Sequence, residues 1–447
     1  MNSFATDGTN FITATGLTFS LAMALCLLLV PRRFAAVPIF ILVCFMTMGE
    51  RILVFGLNFT MLRILLLFGW VRVLARHEYH VPKFGPLDAV VVGWTIVRTV
   101  NYTLLWGTTA AFINRLGYAY DIIGAYFLFR FLIRDPKDVT RAIRYLALFV
   151  MPLALFMLLE KLTARNVFSV FGGVPFIPEM REGVVRCQGP FSHPILAGTF
   201  GATSLPLLIA LWWQPRASRL LVVFATLAVL VITATAGSSG PALAAFAGIL
   251  ALCLWAMRAH MRILRWGCLI AVVVLQVVMN SPVWFVLARF SVFSGSTGWF
   301  RGFLIDQAVR HINEWWLIGT QSAAAWHPFL IDVTNQYIAE GFCGGIIAMA
   351  LFIAMLAVAF RSVGRSVRRS HLEMPSKRLA WALGAALFAH AVTFISVTYF
   401  DQNFVMLYFL LASVSAVAAA QPVAASTQVT SEADSRFALS FSEPAIQ

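Results

Sequence analysis

The sequence predicts an all-α integral membrane protein that crosses the bilayer many times. Of its 447 residues, 60% are hydrophobic and only 12% are charged, and the mean hydropathy is +0.83. Soluble domains carry about 45–50% apolar and about 25% charged residues, so this composition excludes a soluble enzyme. Long apolar runs also recur along the chain, which is typical of helices that cross a membrane repeatedly.

About 13 apolar runs are long enough to cross roughly 30 Å of hydrocarbon, a thickness that needs about 17–25 helical residues. They cover 12–30, 34–49, 52–71, 87–105, 117–133, 145–160, 195–213, 220–236, 240–257, 266–281, 337–360, 379–398 and 404–420. The second, sixth and tenth runs are short, so 12 spans are an alternative count. We therefore expect residues 1–420 to form one polytopic membrane domain with about 12–13 transmembrane helices.

The net charge of +14 results from 33 Lys and Arg residues against 19 Asp and Glu residues. In a soluble protein such a charge would suggest a nucleic-acid partner, but in a membrane protein Lys and Arg mark the cytoplasmic loops. If loops alternate between two sides, one side carries more than twice as many Lys and Arg residues as the other. This asymmetry predicts a cytoplasmic C-terminus with a disordered tail at 421–447, a lipid bilayer as partner, and no nucleic-acid binding.

Two loops on the side with few basic residues are longer than the rest. They cover about 161–194 and about 282–336, and both are rich in aromatic and aliphatic residues. Long loops in compact proteins are functional or disordered, and this composition argues against disorder. Apolar residues at helical spacing between 299 and 316 predict an amphipathic helix at the membrane–water interface. A simple interfacial belt of aromatic residues explains the tryptophans equally well.

The arginines of these loops are candidate anion-binding residues. No Asp or Glu occurs from Gly183 to Ile305, so Arg186, Arg289 and Arg301 lack an acidic neighbour in that stretch. A guanidinium without a carboxylate suits a phosphate ligand, because its planar fork matches the phosphate oxygens. Lipid head groups are also phosphates, and arginines that extend toward them would show the same pattern. Spacing alone favours this simpler explanation.

Four short motifs follow one another between residues 180 and 360. They read Arg186-Cys-Gln-Gly-Pro-Phe-Ser-His-Pro, Thr233-Ala-Thr-Ala-Gly-Ser-Ser-Gly-Pro, Gly298-Trp-Phe-Arg and Asp332-Val-Thr-Asn-Gln-Tyr-Ile-Ala-Glu-Gly. Their order and their shared side resemble the bacterial O-antigen ligase and O-antigen (exopolysaccharide) polymerase superfamily. Residues 1–180 resemble that superfamily only as a generic half with many spans.

The resemblance implies a glycosyltransferase of surface-polysaccharide assembly in the bacterial inner membrane, with its site facing the periplasm. Its donor would be a polyprenyl-pyrophosphate-linked glycan, its acceptor a glycan or a lipid, and its partners other polysaccharide-assembly proteins. Arg186 and Arg301 would bind the pyrophosphate and stabilise the leaving group without a metal or cofactor. Ligation and polymerisation both remain open. A transporter of polysaccharide or lipid-linked oligosaccharide is the alternative function.

A glycosyl transfer also needs a general base for the acceptor hydroxyl. Candidates are His327, Asp332 and, with less support, His193. Each has a purely structural explanation as well, because His193 and Asp332 can cap the helices that follow them. His327 precedes Pro328 and can shape a loop.

Matching the motifs residue by residue adds Asn335, Tyr337 and His193 as substrate-binding candidates. The sequence departs from the family at Thr334, where the family usually has His. It also has Ser239-Gly240 where Ser-Arg-Gly is common. These departures place the usual ligase mechanism in question and predict a divergent branch.

Four ionisable residues, Arg63, Arg98, Asp121 and Glu160, lie inside predicted spans. Charges at membrane depth are costly, so they are paired or functional. We expect a structural ion pair such as Arg98 with Asp121. A transporter would use the same residues as a substrate or proton path, but no inverted repeat and no matched pair of Gly- or Pro-broken spans is evident.

Overall fold

The structure is a computed structural model that describes residues 12–54, 57–79, 84–289 and 298–420. Within these ranges it contains fifteen α-helices, two antiparallel hairpins of two strands each, and several short 3-10 helices. The predicted all-α class is therefore confirmed. The predicted disordered tail, 421–447, lies outside the described residues.

The helices and strands alternate with short connections along most of the chain. The helices are α1 (Ala14–Leu29), α2 (Ala36–Phe45), α3 (Met61–Ala75), α4 (Pro86–Trp106), α5 (Thr109–Leu132), α6 (Pro136–Thr163), α7 (Pro194–Ala210), α8 (Arg219–Thr235), α9 (Ser239–Cys253), α10 (Met261–Val278), α11 (Gly298–Arg310), α12 (Ile312–Trp315), α13 (Gln336–Arg368), α14 (Met374–Thr393) and α15 (Asn403–Ala419). The strands are β1 (Arg51–Val54), β2 (Leu57–Thr60), β3 (Glu179–Arg181) and β4 (Val184–Arg186).

Among the described residues, four helices are long and apolar enough to cross a membrane, judged by length and composition. They are Pro136–Thr163, Pro194–Trp213, Ser239–Val278 and Gln336–Arg368. The second range includes a 3-10 turn after α7, and the third joins α9 to α10 through a 3-10 helix. Three shorter apolar helices, α1, α8 and α15, join them in the bundle. Each of the thirteen predicted runs overlaps one helix, and α11 and α12 lie in the loop predicted at 282–336.

Helix ends follow from local sequence. Thr108 and Asp135 precede α5 and α6, and their side chains accept hydrogen bonds from the backbone amides of Ala111 and Asp138. Such caps satisfy amides that have no partner inside the helix. At the end of α4, Gly107 has a φ of 61°, a left-handed conformation that glycine adopts without steric cost.

The centre of the bundle is formed by α7, α14 and α15. Nearly every residue of α7 and α15 is buried, since α7 packs against α8, α9 and α14, while α15 packs against α5 and α13. By contrast, α10 has no buried residue. A helix in the interior of a packed bundle is apolar on all sides. This explains why the sequences of α7 and α15 have little amphipathic character.

Successive helices run between two opposite ends of the bundle. One end, here called the basic end, comprises residues 30–34, 72–79, 130–141, 213–219 and 365–378. Contacts there include the ion pair Arg32–Asp138 at 2.9 Å and a hydrogen bond from Gln214 to the Pro375 carbonyl. The other end, here called the site end, comprises 105–115, 165–193, 236–240, 283–289, 298–335 and 394–402. Gln321 donates there to the Leu105 carbonyl, and residues 283–289 pack against α11. The predicted alternation of loops between two sides is thus present in the bundle.

The region of the second and third predicted spans differs from expectation. The runs at 34–49 and 52–71 form only α2 and α3, and the hairpin β1–β2 lies between them. The reason is Glu50, which is fully buried and accepts a hydrogen bond from the Thr13 backbone amide at 2.9 Å. This carboxylate accepts the hydrogen bond of a backbone amide at the start of α1. Because Glu50 is held there, the chain around it does not continue as an apolar helix.

The expected pairing of Arg98 with Asp121 is wrong. Asp121 accepts two hydrogen bonds from Arg63, at 2.9 and 2.7 Å, because α3 packs against α5. Arg98 instead lies 3.1 Å from Glu340 on α13. All four of these charges are thereby paired within the described bundle, as burial requires.

The predicted helix at 299–316 is divided in two at His311, which separates α11 from α12. Leu304, Ala308 and Trp315 form its buried face as the spacing predicted. The charged residue Asp306 is also buried, and it accepts a hydrogen bond from Arg310 at 2.7 Å.

A further break, which spacing did not predict, lies inside α13 at Gly344 and Gly345. Gly345 has a φ of 73°, and the Ile346 amide donates to the Trp316 carbonyl instead of to its own helix. The segment that follows α12 therefore inserts against the broken turn of α13.

Candidate anion-binding site at the site end

The hairpin β3–β4 positions Arg186. Its register pairs Glu179 with Arg186 across the strands, and Arg186 Nη1 donates to Glu179 Oε1 at 2.6 Å. Glu182-Gly183 forms the two-residue turn with φ values of 50° and 76°, a geometry typical of tight hairpins. The stretch without acidic residues begins at Gly183, so it does not include Glu179, which lies seven residues before Arg186. Sequence reasoning therefore missed this partner.

Arg186 is only 5% exposed, because two backbone contacts hold its segment against the bundle. The Cys187 amide donates to the Thr235 carbonyl at the end of α8, while Glu160 accepts from the amides of Gln188 and Gly189 at 3.0 and 2.9 Å. Glu160, an ionisable residue of a predicted span, thus has a structural role. In this position Arg186 Nη2 donates to Ser238 Oγ at 2.6 Å.

Arg301 approaches the same turn from the other long loop. It lies in the first turn of α11 and is 8% exposed. A Cβ placed on Gly240 would lie 3.7 Å from Arg301 Nη2 and 2.9 Å from Ser396 Oγ. Arg186 and Arg301 therefore both approach residues 238–240, although 115 residues separate the two arginines (301 − 186).

Both guanidinium groups retain unused hydrogen-bonding capacity. The Nε atoms of Arg186 and Arg301 are buried and have no hydrogen-bond partner among the described residues. Burial lowers the pKa of Arg301, and the charge of Arg181 lowers it further. A bound anion would remove both penalties, because it compensates the charge and accepts the free N–H groups.

Helices α7, α9, α13 and α15 are among the helices that begin at this end. The starts of α7 and α9 are close together, since a Cβ on Gly198 would lie 2.9 Å from the Cβ atoms of Ala236 and Pro241. Helix N-termini carry partial positive charge. They therefore add to the positive potential of Arg181, Arg186 and Arg301 and favour an anionic ligand.

His193 and Asp332 border this cluster. His193 caps α7, because its Nδ1 accepts a hydrogen bond from the Ile195 amide at 3.1 Å, and its Nε2 lies 3.8 Å from Glu179 Oε2. Burial and the charge of Arg186 lower the pKa of His193, while Glu179 and the exposed Asp332 act in the opposite direction. The ring is therefore neutral at pH 7.

Asn335 and Tyr337 have structural partners that occupy their polar groups. Asn335 is the N-cap of α13: its Oδ1 accepts from the Ile338 amide, and its Nδ2 donates to the Ile395 carbonyl at 3.0 Å. The hydroxyl of Tyr337 donates to the Ala391 carbonyl at 2.9 Å. The described contacts thus use these two candidates to join α13 to the end of α14.

His327 lies on an aromatic surface of the second long loop. Its ring packs edge-on against Phe303, with centroids 5.0 Å apart, and Phe303 stacks on Trp299 at 5.0 Å. Trp299 is 57% exposed, whereas Arg301, two residues further along α11, is buried. The contacts of His327 are therefore with the exposed side of α11, and those of Arg301 with its buried side.

Sequence reasoning missed Asp401. It is 7% exposed, and its Oδ1 accepts hydrogen bonds from the backbone and side-chain nitrogens of Asn403 at 3.1 and 2.9 Å. Burial raises the pKa of Asp401 to about 6, although the Asn403 groups and the backbone amide of Ser192 oppose the shift. The sequence feature that could have identified Asp401 is the polar run Asp401-Gln-Asn between two apolar runs.

Comparison of the chain with protein-family models, with curated proteins and with solved structures finds no match. The resemblance to O-antigen ligases and polymerases therefore depends on the four motifs. The geometry adds that the Arg186, Ser238-Gly240, Arg301 and Asp332 regions of those motifs all belong to the site end.

Proposed function

We propose that the protein is a glycosyltransferase of the bacterial inner membrane that ligates or polymerises surface polysaccharide on the periplasmic face. The observation that carries the proposal is the approach of Arg186 and Arg301 to a single turn at the start of α9. A polyprenyl-pyrophosphate-linked glycan would supply the negative charge that Arg301 lacks among the described residues, and acceptors for the free Nε–H groups of both arginines. The acceptor is a second glycan or a lipid.

Two observations support a membrane location. The four long apolar helices are sufficient in length and composition to cross a bilayer. The basic end carries more than twice as many Lys and Arg residues as the site end, as expected for a cytoplasmic face. The site end, with its two long loops, then faces the periplasm, and the C-terminus faces the cytoplasm.

In the proposed reaction, the acceptor hydroxyl attacks the anomeric carbon of the donor glycan and inverts it. A new glycosidic bond forms while the bond between that carbon and the pyrophosphate oxygen breaks. The pyrophosphate leaves with the bonding electron pair, and Arg186 and Arg301 stabilise the charge that develops on it. The hydroxyl proton passes to a general base.

The tautomer of His193 favours a role in substrate binding and argues against a role as the general base. Since Nδ1 accepts a hydrogen bond from the Ile195 amide, the neutral ring carries its hydrogen on Nε2. That nitrogen can donate to a substrate oxygen but has no lone pair for a proton. His327 and Asp332 remain the candidate bases. The exposed ring of Trp299 suits a sugar ring, whose C–H face packs on aromatic surfaces as apolar groups do.

Transport is the second candidate function, and the break in α13 favours it. Unwound helix segments in transporters often border substrate sites, and Gly344 adjoins Arg98, whose partner is Glu340. Among the described helices this break has no counterpart in a second half of the chain, as inverted-repeat transporters would require. The glycosyltransferase therefore remains the better-supported proposal.

Analysis of the carrier lipid after deletion of the gene distinguishes these functions. A ligase mutant accumulates long polymer on its polyprenyl carrier, and a polymerase mutant accumulates single repeat units. A transport mutant would retain the lipid-linked unit on the cytoplasmic side, where it is protected from periplasmic enzymes. Unchanged carrier-linked glycan and unchanged surface polysaccharide would contradict both proposals.

A further inference from the structure

A second arginine at the site end lacks compensation, and it is remote in sequence from the four motifs. Arg115, in α5, is 2% exposed, and its Nε and Nη1 atoms are buried without a hydrogen-bond partner among the described residues. Its neighbours Arg63 and Arg98 are paired with Asp121 and Glu340. Arg115 thus differs from both, because no described carboxylate forms an ion pair with it.

Aromatic side chains hold the guanidinium of Arg115 in place. Its Cζ lies 3.4 Å from the centroid of the Tyr102 ring and 4.9 Å from that of Tyr118. Such cation–π contacts fix the orientation of a guanidinium but accept no N–H hydrogen bond. The charge therefore remains without an anion even though the side chain is well packed.

Trp106 supplies a second donor beside it. Its indole Nε1 is also buried without a partner among the described residues, and its ring lies 5.8 Å from that of Tyr102, which Arg115 contacts as well. Buried donors without acceptors are rare in folded proteins. Arg115 and Trp106 both contact Tyr102 and both carry such donors. Together they indicate a place where a ligand provides oxygen atoms.

The surface around these donors is apolar. Side chains that are 39–63% exposed flank them on α4 and α5, namely Leu104, Phe112, Ile113 and Leu116. A free anion gains nothing from such a surface, whereas a lipid buries its chains there at about 0.8 kcal/mol per CH₂ group. Charge and apolar surface together therefore specify a lipid whose head group carries a phosphate.

We propose that the apolar surface of α4 and α5 around Arg115 and Trp106 binds a phospholipid, with Arg115 and Trp106 donating to its phosphate. The site is separate from the turn at 238–240. It rests on the membrane location proposed above but not on glycosyl transfer, so the two proposals can fail independently.

The test measures thermal unfolding of the delipidated full-length protein in a non-ionic detergent, with lipid added. Dioleoyl-phosphatidylglycerol should raise the apparent Tm of the wild-type protein, and dioleoylglycerol, which has the same chains but no phosphate, should not. Arg115→Met should weaken this response about ten-fold or more in lipid concentration, as expected for the loss of a charged hydrogen bond. Trp106→Phe keeps the ring but removes the donor, so a smaller loss is expected.

Arg289→Met is the matched control, because it removes an exposed cation of the same end and should leave the response unchanged. Without lipid, Arg115→Met should be at least as stable as the wild type, since it removes a buried charge that has no partner. The proposal is overturned if dioleoylglycerol or inorganic phosphate alone stabilises the protein equally well. It is also overturned if both Arg115→Met and Trp106→Phe retain the full response to phosphatidylglycerol.

Discussion

Arg186 and Arg301 share one turn but differ in how their charges are compensated. Arg186 already has Glu179 and Ser238 as partners. Arg301 lies near Arg181 instead, and its pKa is lowered by burial and by that second cation. A buried charge without a partner destabilises a protein by several kcal/mol, so Arg301 is the residue that gains most from an anionic ligand.

Substitution by lysine tests the role of the guanidinium groups. Arg186→Lys and Arg301→Lys keep the charge but lose the planar fork that binds two phosphate oxygens. A charge-assisted contact contributes about 1.5–3 kcal/mol, so each variant should lower glycan output about ten-fold or more at matched protein levels. Arg289→Lys, an exposed residue outside the motifs, should have little effect. Near-normal output from both motif variants would show that these arginines contact only lipid head groups.

Asp401 should make stability depend on pH. Burial raises its pKa from 3.8 to about 6, so the folded protein binds this proton more tightly than the unfolded chain does. The contribution of Asp401 to the free energy of unfolding is therefore fully present below about pH 4 and is lost as the pH rises through about 6. This contribution amounts to roughly 3 kcal/mol. Asp401→Asn should remove this part of the slope, measured as apparent Tm against pH.

The exposed carboxylate Asp332 provides the control for this measurement. Asp332→Asn removes the same charge at an exposed position of the same end, so it controls for the loss of one carboxylate. If Asp401→Asn and the wild-type protein lose stability in parallel between pH 4 and pH 7, Asp401 does not titrate as its burial implies.

Among the elements, the hairpin β3–β4 and the break in α13 decide the shape of the site end. The hairpin register sets Arg186 beside Glu179. The break lets the segment after α12 pack into α13, where the Thr320 amide donates to the Phe342 carbonyl and the Ile346 amide to the Trp316 carbonyl. Both elements depend on glycines at positive φ, so their sequences cannot be replaced freely.

The break in α13 should be sensitive to a single methyl group. A Cβ on Gly345 would lie 2.2 Å from the Leu317 carbonyl oxygen, and the residue has a φ of 73°. Gly345→Ala should therefore destabilise the protein by about 2–3 kcal/mol through steric overlap and backbone strain. The measurement is the apparent Tm in detergent together with the yield of folded protein.

Gly364→Ala is the matched control in the same helix. A Cβ there meets no atom within 4 Å, and alanine is favoured over glycine inside a helix by about 0.5–1 kcal/mol. This variant should be as stable as the wild type or more stable. Equal behaviour of the two variants would mean that α13 tolerates a continuous helix at Gly345.

For the whole molecule, the division into a basic end and a site end predicts opposite exposure across a membrane. Single cysteines at Arg365 and Pro175, both exposed positions, should react with an impermeant maleimide from opposite sides. The background should lack the native cysteines, since Cys253 and Cys268 are exposed. Position 175 should react in whole spheroplasts and position 365 only after lysis. Reaction of both from outside would refute the proposed topology.

Local sequence is sufficient for most of the helices. The length of each apolar run and the caps beside it act within a few residues, so the thirteen runs each overlap a helix. The same reasoning failed at 34–71, because Glu50 is needed at the start of α1, 37 residues away. It also failed at Gly344 and Gly345, where another loop supplies the hydrogen bonds that the helix gives up.

The candidate site depends much more on tertiary structure. Sequence motifs identified Arg186 and Arg301, since residue type and charge spacing are local properties. The motifs could not show that both arginines approach Ser238-Gly240. Nor could the sequence show that Asp121 pairs with Arg63 instead of Arg98, or that Asp401 is buried. Contacts between segments separated by 52 to 356 residues decide these points. Such contacts follow from the packing of whole helices, and no short stretch of sequence encodes that packing.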